Sequence, residues 1–378
     1  MKKLLWFTET NINHTTKKAS GYSLKDKTTD LSNYIKIFTE LKIWEKESYR
    51  TEYSSNINEE NLKQIRSIKI HLHTEGHPFS NFHNYQKLIE SYIGEEKIEK
   101  EKLLSSGISE AAKIAIIEVD YESELNSIKN LSYEEEKDIE NVFDYLTQEN
   151  ETIWIEQNII KSIACEFVQF FTFNLHLNFL TGDYGFNFIQ KAKPVGFVAI
   201  ISGEEVYYET DTTDLLAHYI LWEDNYELLD QYMAITSKFW CKYISSIHFF
   251  LDALKGNHIT SSNFTKLVFT LESFFSKNTS NDYITLVCPL LISSNIHEMK
   301  NYRDVIKKSL TYRNDIVHGG KVHNIKKNDE MTKLFFSLKN IVCRIFAFII
   351  NNQLYLENHN QKLNHELIFS RFPKGLGR

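Results

Sequence analysis

At 378 residues the chain is long for one domain and comfortable for two, and its 42% hydrophobic content, with 26 Phe and 20 Tyr, can furnish sizeable cores. Only four Pro and 13 Gly argue against long disordered linkers, while Cys165, Cys241, Cys288 and Cys343, scattered without a Cys-x-x-Cys pair, read as buried thiols of a reducing compartment rather than a disulfide framework or a zinc site. The net charge of −7 hides a split: residues 94–150 carry 16 acidic and 6 basic side chains, whereas 299–345 carry 11 basic and 4 acidic, which suits either a phosphate backbone or an ordinary solvated helix face.

Met1-Lys2-Lys3 followed by Leu4-Leu5-Trp6-Phe7 imitates the start of a signal peptide, but Thr8-Glu9 ends the apolar run far too early for one. The first sixty residues are otherwise polar and weakly patterned, with a helix expected near 30–47. Over 67–73 the pattern alternates, with Ile68, Ile70 and Leu72 pointing one way and Lys69, His71 and His73 the other, which predicts a half-buried strand. Residues 82–92 and 95–104 carry helical patterning, 113–119 is an apolar run of strand length, and an acidic helix is expected around 133–147. Residues 152–169 read as a helix. From Phe171 the period changes to two, predicting a strand over 171–179, with one long helix running through as the alternative. Thr181-Gly182-Asp183 predicts a turn, and 195–201 with 206–208 predict a hairpin about Gly203.

Strand-like patterning ends near Asp211, which divides the chain into a mixed α/β domain over 1–210 and a helical domain over 211–378, an α+β protein as a whole. Residues 214–254 predict one long helix or two. Ser262 or Asn263 can cap the next helix, whose stripe is Phe264, Leu267, Val268, Leu271 and Phe274, with Glu272 at its rim. Residues 283–293 form a third helical piece that Pro289 should kink or shorten. The final helix, 328–354, is apolar on all sides after Ile341, as suits the centre of a bundle or a dimer interface. Its densest stretch, 341–350, is interrupted by Arg344 and falls short of a membrane span, so a soluble, cytoplasmic protein is expected.

His71, His73, His77 and His83, with Glu75, form the densest histidine cluster. They match no standard ligand spacing, and the alternating strand already accounts for the first two as exposed residues, so no metal is expected. The Glu-rich runs 95–101 and 134–140 read as solvated helix faces. No phosphate-binding loop, dinucleotide fingerprint, nucleophile elbow or His-Glu-x-x-His is present, and no cofactor is expected.

One helix remains, and the chemistry gathers on it. Met299, Tyr302, Ile306, Leu310 and Val317 recur at helical spacing as one apolar stripe, with Arg313 in its middle. A guanidinium cannot lose its charge there, so it needs a carboxylate or an anionic ligand, and Glu272 is the candidate carboxylate. Asn314 and His318 lie one turn apart beside it, and Gly319-Gly320 ends the helix. The plain reading is a helix stop, in which His and Arg complement the last carbonyls. The functional reading is an Arg, an Asn and a His displayed at a helix C-terminus.

The segment Tyr312-Arg313-Asn314-Asp315-Ile316-Val317-His318-Gly319 resembles the signature of the HEPN superfamily of helical domains, and most nearly its ApeA-like branch. Leu271-Glu272-Ser273-Phe274-Phe275 is similar to that branch's first-helix segment. The resemblance covers about the last third of the chain and implies a four-helix bundle whose third helix ends in the Arg/His motif. It further implies a metal-independent endoribonuclease that pairs two copies of the motif across a homodimer, used in defence against phage or as a toxin, with a phage-derived trigger or an antitoxin as partner. Arg313, His318 and Asn314 would be catalytic, Glu272 and Tyr312 supporting, and Lys307, Lys308 and Lys321 in reach of RNA. The alternatives are a HEPN bundle that binds RNA, nucleotide or a partner protein without cutting, and a helical scaffold whose motif is only a helix stop.

Overall fold

The structure, a computed structural model, describes residues 1–9, 12–18, 21–24, 27–42, 59–73, 86–94, 114–122, 140–178, 196–202, 205–210, 219–222, 226–254, 259–275, 280–318 and 328–351. The chain contains both helices and an antiparallel sheet, an α+β protein. It divides into two compact units, 1–172 with 189–227 and 173–188 with 228–378.

The first unit is built on β1 (Lys2–Glu9), which is first in sequence and near the centre of the sheet. It joins β4 (Lys27–Asp30), β5 (Ile65–His73), β6 (Ile114–Tyr121), β7 (Gly196–Ser202) and β8 (Glu205–Thr210) in the order β4-β5-β6-β1-β7-β8, every neighbouring pair antiparallel. A second sheet holds β2 (Ile12–Lys18) between β3 (Gly21–Leu24) and β9 (Tyr219–Trp222). The expected strand over 67–73 and the hairpin are present as β5 and as β7 with β8. β1 itself went unread, because Leu4, Leu5, Trp6 and Phe7 are all fully buried. A strand covered on both faces shows a continuous apolar run with no alternation. β9 corrects the expectation of helix over 214–254: Tyr219–Trp222 is a strand paired with β2, a partner near the start of the chain that no local pattern marks, and the helix begins only at Tyr226.

On one face of the main sheet Leu5, Phe7, Ile114, Ile116 and Ala199 pack against Ile89 and Ile93 of α3 (Gln86–Ile93). Gly94 then stops α3 at φ 98, its N–H returning to the Glu90 carbonyl, a left-handed closure that glycine takes at little cost. On the other face Leu4, Trp6, Ile68, Ile70, Ile117 and Val119 are buried. Lys161 lies over the Trp6 ring and Lys2 pairs with Glu156, so α4 (Glu140–Asn178) runs along this face. Phe38 of α1 (Ser32–Glu40) stacks on Phe167 at 4.8 Å. A short helix, α2 (Glu59–Gln64), leads into β5.

The strand expected over 171–179 is instead the end of α4, the alternative of one long helix. The apparent alternation arose because Phe171, Phe173 and Leu175 are buried, but so are the intervening Thr172 and Asn174. A helix enclosed on all sides leaves no polar stripe from which to read its period. Of the other expectations, the helix over 95–104, the turn at 181–183 and the acidic segment up to residue 139 lie outside the described residues.

The second unit is helical. α5 (Tyr226–Ala253) is two helical segments meeting at a kink at Tyr243, followed by α6 (Ser261–Ser273), α7 (Asn281–Ile292), α8 (Ile296–Val317) and α9 (Asn328–Asn351). The last four pack together, α9 touching each of the others. The α6 cap is Thr260, not Ser262 or Asn263: its hydroxyl accepts from the Asn263 N–H and Asn263 Oδ1 accepts from the Thr260 N–H, a reciprocal box worth about 1 kcal/mol. The expected stripe of Phe264, Leu267, Val268, Leu271 and Phe274 is buried throughout. Pro289 sits in the last turn of α7, where it costs little helix, and Ser293 closes that end on its carbonyl. Phe346 of α9 meets Phe173, Phe250 and Phe274 edge-on at 4.8, 5.6 and 4.7 Å, each ring pair adding about 0.5–1.5 kcal/mol beyond its area. Within α9 the span Glu330–Asn351 is long and apolar enough to cross a membrane by length and composition, yet 56% of its apolar window is buried inside the fold, as a core helix would be.

Candidate functional site

α8 is fixed at its start by side chains. Asn295 Oδ1 caps the Glu298 N–H at 2.9 Å, and the Glu298 carboxylate accepts from the Ser294 hydroxyl and amide at 2.6 and 2.7 Å and from the Tyr302 hydroxyl at 2.6 Å. The Ser294 hydroxyl and amide, then Tyr302, hold the Glu298 carboxyl down at about 2. Arg344 of α9 stands 3.4 Å away and over the Tyr302 ring. Further along, Ile306, Ser309 and Leu310 face the core. Tyr312 lies edge-on to Phe264 at 5.1 Å, its hydroxyl 3.4 Å from Met331 Sδ, so it supports the α6–α8–α9 packing.

One expectation about this stripe is corrected. Val317, seven residues after Leu310, is 52% exposed, because the helix ends at that residue and no described element packs over its last turn.

Arg313 emerges where α8 lies against α6. Its Nη2 donates to Glu272 Oε1 and its Nη1 to Asn314 Oδ1 at 2.8 Å, while the guanidinium sits 5.8 Å from the centre of the Phe269 ring. The side chains of Arg313 and Glu272 are 17% and 23% exposed, so the pair is mostly shielded but still open on one side. Burial pushes the Arg313 guanidinium below its ordinary value, yet it stays charged at any physiological pH. Its Nε is buried without a hydrogen-bond partner among the described residues.

His318 is the C-cap of α8, its backbone N–H donating to the Asn314 carbonyl at 3.0 Å. The imidazole is exposed and has no hydrogen-bond partner among the described residues. The structure therefore brings together Arg313, Asn314 and Glu272 and places His318 one turn beyond them. Lys307 and Lys308 are exposed on the outer face of α8, whereas Lys321, Gly319 and Gly320 lie outside the described residues.

Comparison of the chain with protein-family models, curated proteins and solved structures yields no match. The site thus stands on its own geometry.

Two of its members escaped sequence reasoning. Phe269 is three residues before Glu272 on α6, a spacing that puts both on one face, and this was the one readable sign of it. Met331, distant in sequence, left none. The histidine cluster is not drawn to a common point: His71 bonds Thr28 and Glu118, and His73 meets Tyr92, while His77, His83 and Glu75 lie outside the described residues. Cys165, Cys288 and Cys343 are buried and none of them forms a disulfide with another described cysteine.

Proposed function

We propose that the second unit is a HEPN-like bundle acting as a metal-independent endoribonuclease, with Arg313 and His318 at its centre and Asn314, Glu272 and Tyr312 in support. One observation carries this reading: a mostly shielded, carboxylate-anchored arginine lies five residues before an exposed histidine on the same helix end, and that histidine is unengaged among the described residues. RNA brings its own nucleophile, the 2′-hydroxyl, so the protein need supply only a proton carrier and a cation at the phosphate. The His318 imidazole takes the hydroxyl proton or returns one to the leaving oxygen. Glu272 and Asn314 engage two of the five N–H donors of Arg313, fixing the guanidinium plane, and the free N–H bonds of Nη1 and Nη2, unlike the buried Nε, can stabilise the charge that builds on the phosphorane. Lys307, Lys308 and Lys321 would hold the flanking backbone.

One histidine cannot be base and acid at the same instant. A second copy across the exposed end of α8, where Val317 and His318 face outward, would supply the other in a homodimer. A defence or toxin role in the cytoplasm, with a trigger or antitoxin acting through the first unit, follows by family analogy alone.

A second reading has one observation in its favour. The hold of Glu272 on Arg313 suits a bundle that binds RNA, nucleotide or a partner protein without cutting it. Incubation of the purified chain with total RNA in excess EDTA separates the two readings. Fragments ending in 2′,3′-cyclic phosphate and 5′-hydroxyl are expected, and their loss in His318→Ala. Activity abolished by chelation, 3′-hydroxyl ends, or undiminished cleavage by His318→Ala would each overturn the proposal.

A further inference from the structure

The sheet of the first unit carries a polar corner that the nuclease reading does not use. Alternation along β1, β5 and β6 puts Lys3, His71, His73, Glu118 and Asp120 on the same face as Leu5 and Phe7, at the margin of the patch that α3 covers, where Tyr92 meets both histidines. Thr28 of β4 stands directly opposite His71 in register, and Glu118 lies two residues along β6 from Ile116, which is His71's opposite. These near and diagonal positions let three side chains join across three strands. His71 Nδ1 is 2.9 Å from Thr28 Oγ1, and His71 Nε2 is 3.1 Å from Glu118 Oε2. Lys3 donates to the other oxygen, Glu118 Oε1, at 2.8 Å.

With a neutral imidazole the chain of contacts has one proton arrangement. Glu118 is bonded to both His71 and Lys3, and those bonds, that to His71 first, hold its carboxyl at about 2 against the opposing effect of burial. An ionised carboxylate can only accept, so Nε2 of His71 carries the proton. In that neutral form Nδ1 is the bare nitrogen, and the Thr28 hydroxyl donates to it. The ring is fixed on both sides, and T-shaped packing of Tyr92 at 5.7 Å holds it from above. Burial is graded along the row: the side chains of Glu118 and His71 are 11% and 14% exposed, while Thr28 is open to solvent.

We propose that Thr28, His71 and Glu118 form a second, acyl-transferring site, with Thr28 as nucleophile, His71 as proton carrier, Glu118 as the residue that positions the ring, and esters as the substrate class. The arrangement is hydroxyl, imidazole and carboxylate in hydrogen-bonded sequence, the geometry by which an unactivated hydroxyl becomes a nucleophile. β4 is the end strand of its sheet among the described residues, so alternate backbone N–H groups point away from β5 and can donate to a carbonyl oxygen that gains charge. In the first half-reaction Thr28 Oγ bonds to the ester carbonyl carbon as its proton passes to His71 Nδ1. The carbon–oxygen bond to the alcohol then breaks, and that oxygen leaves with the electron pair and the proton from His71. In the second, water gives a proton to His71 and its oxygen to the acyl carbon, the Thr28 ester bond breaks, and Thr28 recovers its proton. An acid and an alcohol result, with no other reactant. This proposal is independent of the nuclease reading.

The test uses the full chain with p-nitrophenyl acetate. A burst of p-nitrophenol is expected, with an acetyl group located on Thr28 by peptide mass spectrometry. Thr28→Ser should keep the burst, and Thr28→Val should abolish acylation at that position. His71→Asn should slow it by about 100-fold or more. Glu118→Gln should slow it while Glu118→Asp restores part of the rate, a rescue that a purely structural carboxylate would not show in the acylation rate. Absence of acetyl-Thr28 in the folded wild-type chain overturns the proposal whatever the variants do, as does acetylation of Thr28 at an unchanged rate in folded His71→Asn. In either case the three residues serve only to fasten β4 to the sheet.

Discussion

Arg313 and His318 are five residues apart and answer to different physics. Arg313 is held by Glu272 with both side chains mostly shielded, so removing either leaves a charge in a poorly hydrated place. Arg313→Ala is expected to cost about 1–3 kcal/mol in urea unfolding, the penalty of leaving a partly buried polar group without its partner. Glu272→Ala should cost a similar amount, and the double variant less than the sum by about 0.5–3 kcal/mol. Strict additivity would show that the pair is not coupled. His318 is exposed and has no hydrogen-bond partner among the described residues, so His318→Ala should stay within about 0.5 kcal/mol of the parent. A group that matters for chemistry and not for stability is what the nuclease reading requires of it.

Among the elements α8 was the most legible. The Ile306 and Leu310 stripe and the stop after Val317 are local signals found in place, whereas the Asn295 cap and the Glu298 carboxylate at its start went unread. Its outward side carries Lys307 and Lys308, both exposed. If that side holds a phosphate backbone, Lys307→Glu together with Lys308→Glu should weaken RNA binding and flatten its dependence on salt, each lost phosphate contact lowering the logarithmic slope by about 0.7 for a single strand. A slope equal to that of the parent would place the RNA elsewhere. α4 was legible only in part, because its enclosed C-terminal stretch has no polar side to mark the period.

At the scale of the molecule, among the described residues each compact unit contains one carboxylate held far below its ordinary value of 4.5, to about 2: Glu118 in the first, chiefly through His71, and Glu298 in the second, chiefly through Ser294. A carboxyl whose folded pKa is depressed favours the folded state as its anion. That contribution is complete above the unfolded value near 4.5 and is lost as pH falls through about 2. Unfolding followed from pH 6 to pH 2 should therefore show stability falling below about pH 4.5. Glu118→Gln should flatten the acid limb of the first unit only, and Glu298→Gln that of the second, as read by amide exchange on β5 and on α8. Equal acid sensitivity in parent and variants would deny these carboxylates any share in the folded state's pH response.

Local chemistry determined what the sequence could reveal by itself: the half-buried β5, the β7–β8 hairpin, the α6 and α8 stripes, and the need of Arg313 for a counter-charge. These rest on a period of two or of 3.6 and on the desolvation of a charge, which any single stretch of chain displays. The tertiary structure alone decided that Leu4–Phe7 is an inner strand, that Phe173 belongs to a helix, and that Thr260 rather than Ser262 begins α6. It also set Phe269 beside the Arg313–Glu272 pair that the sequence had suggested, and aligned Thr28, His71 and Glu118 across three strands. Burial on both faces erases periodicity, and contacts between residues tens of positions apart depend on sheet register and helix packing, which no local pattern encodes.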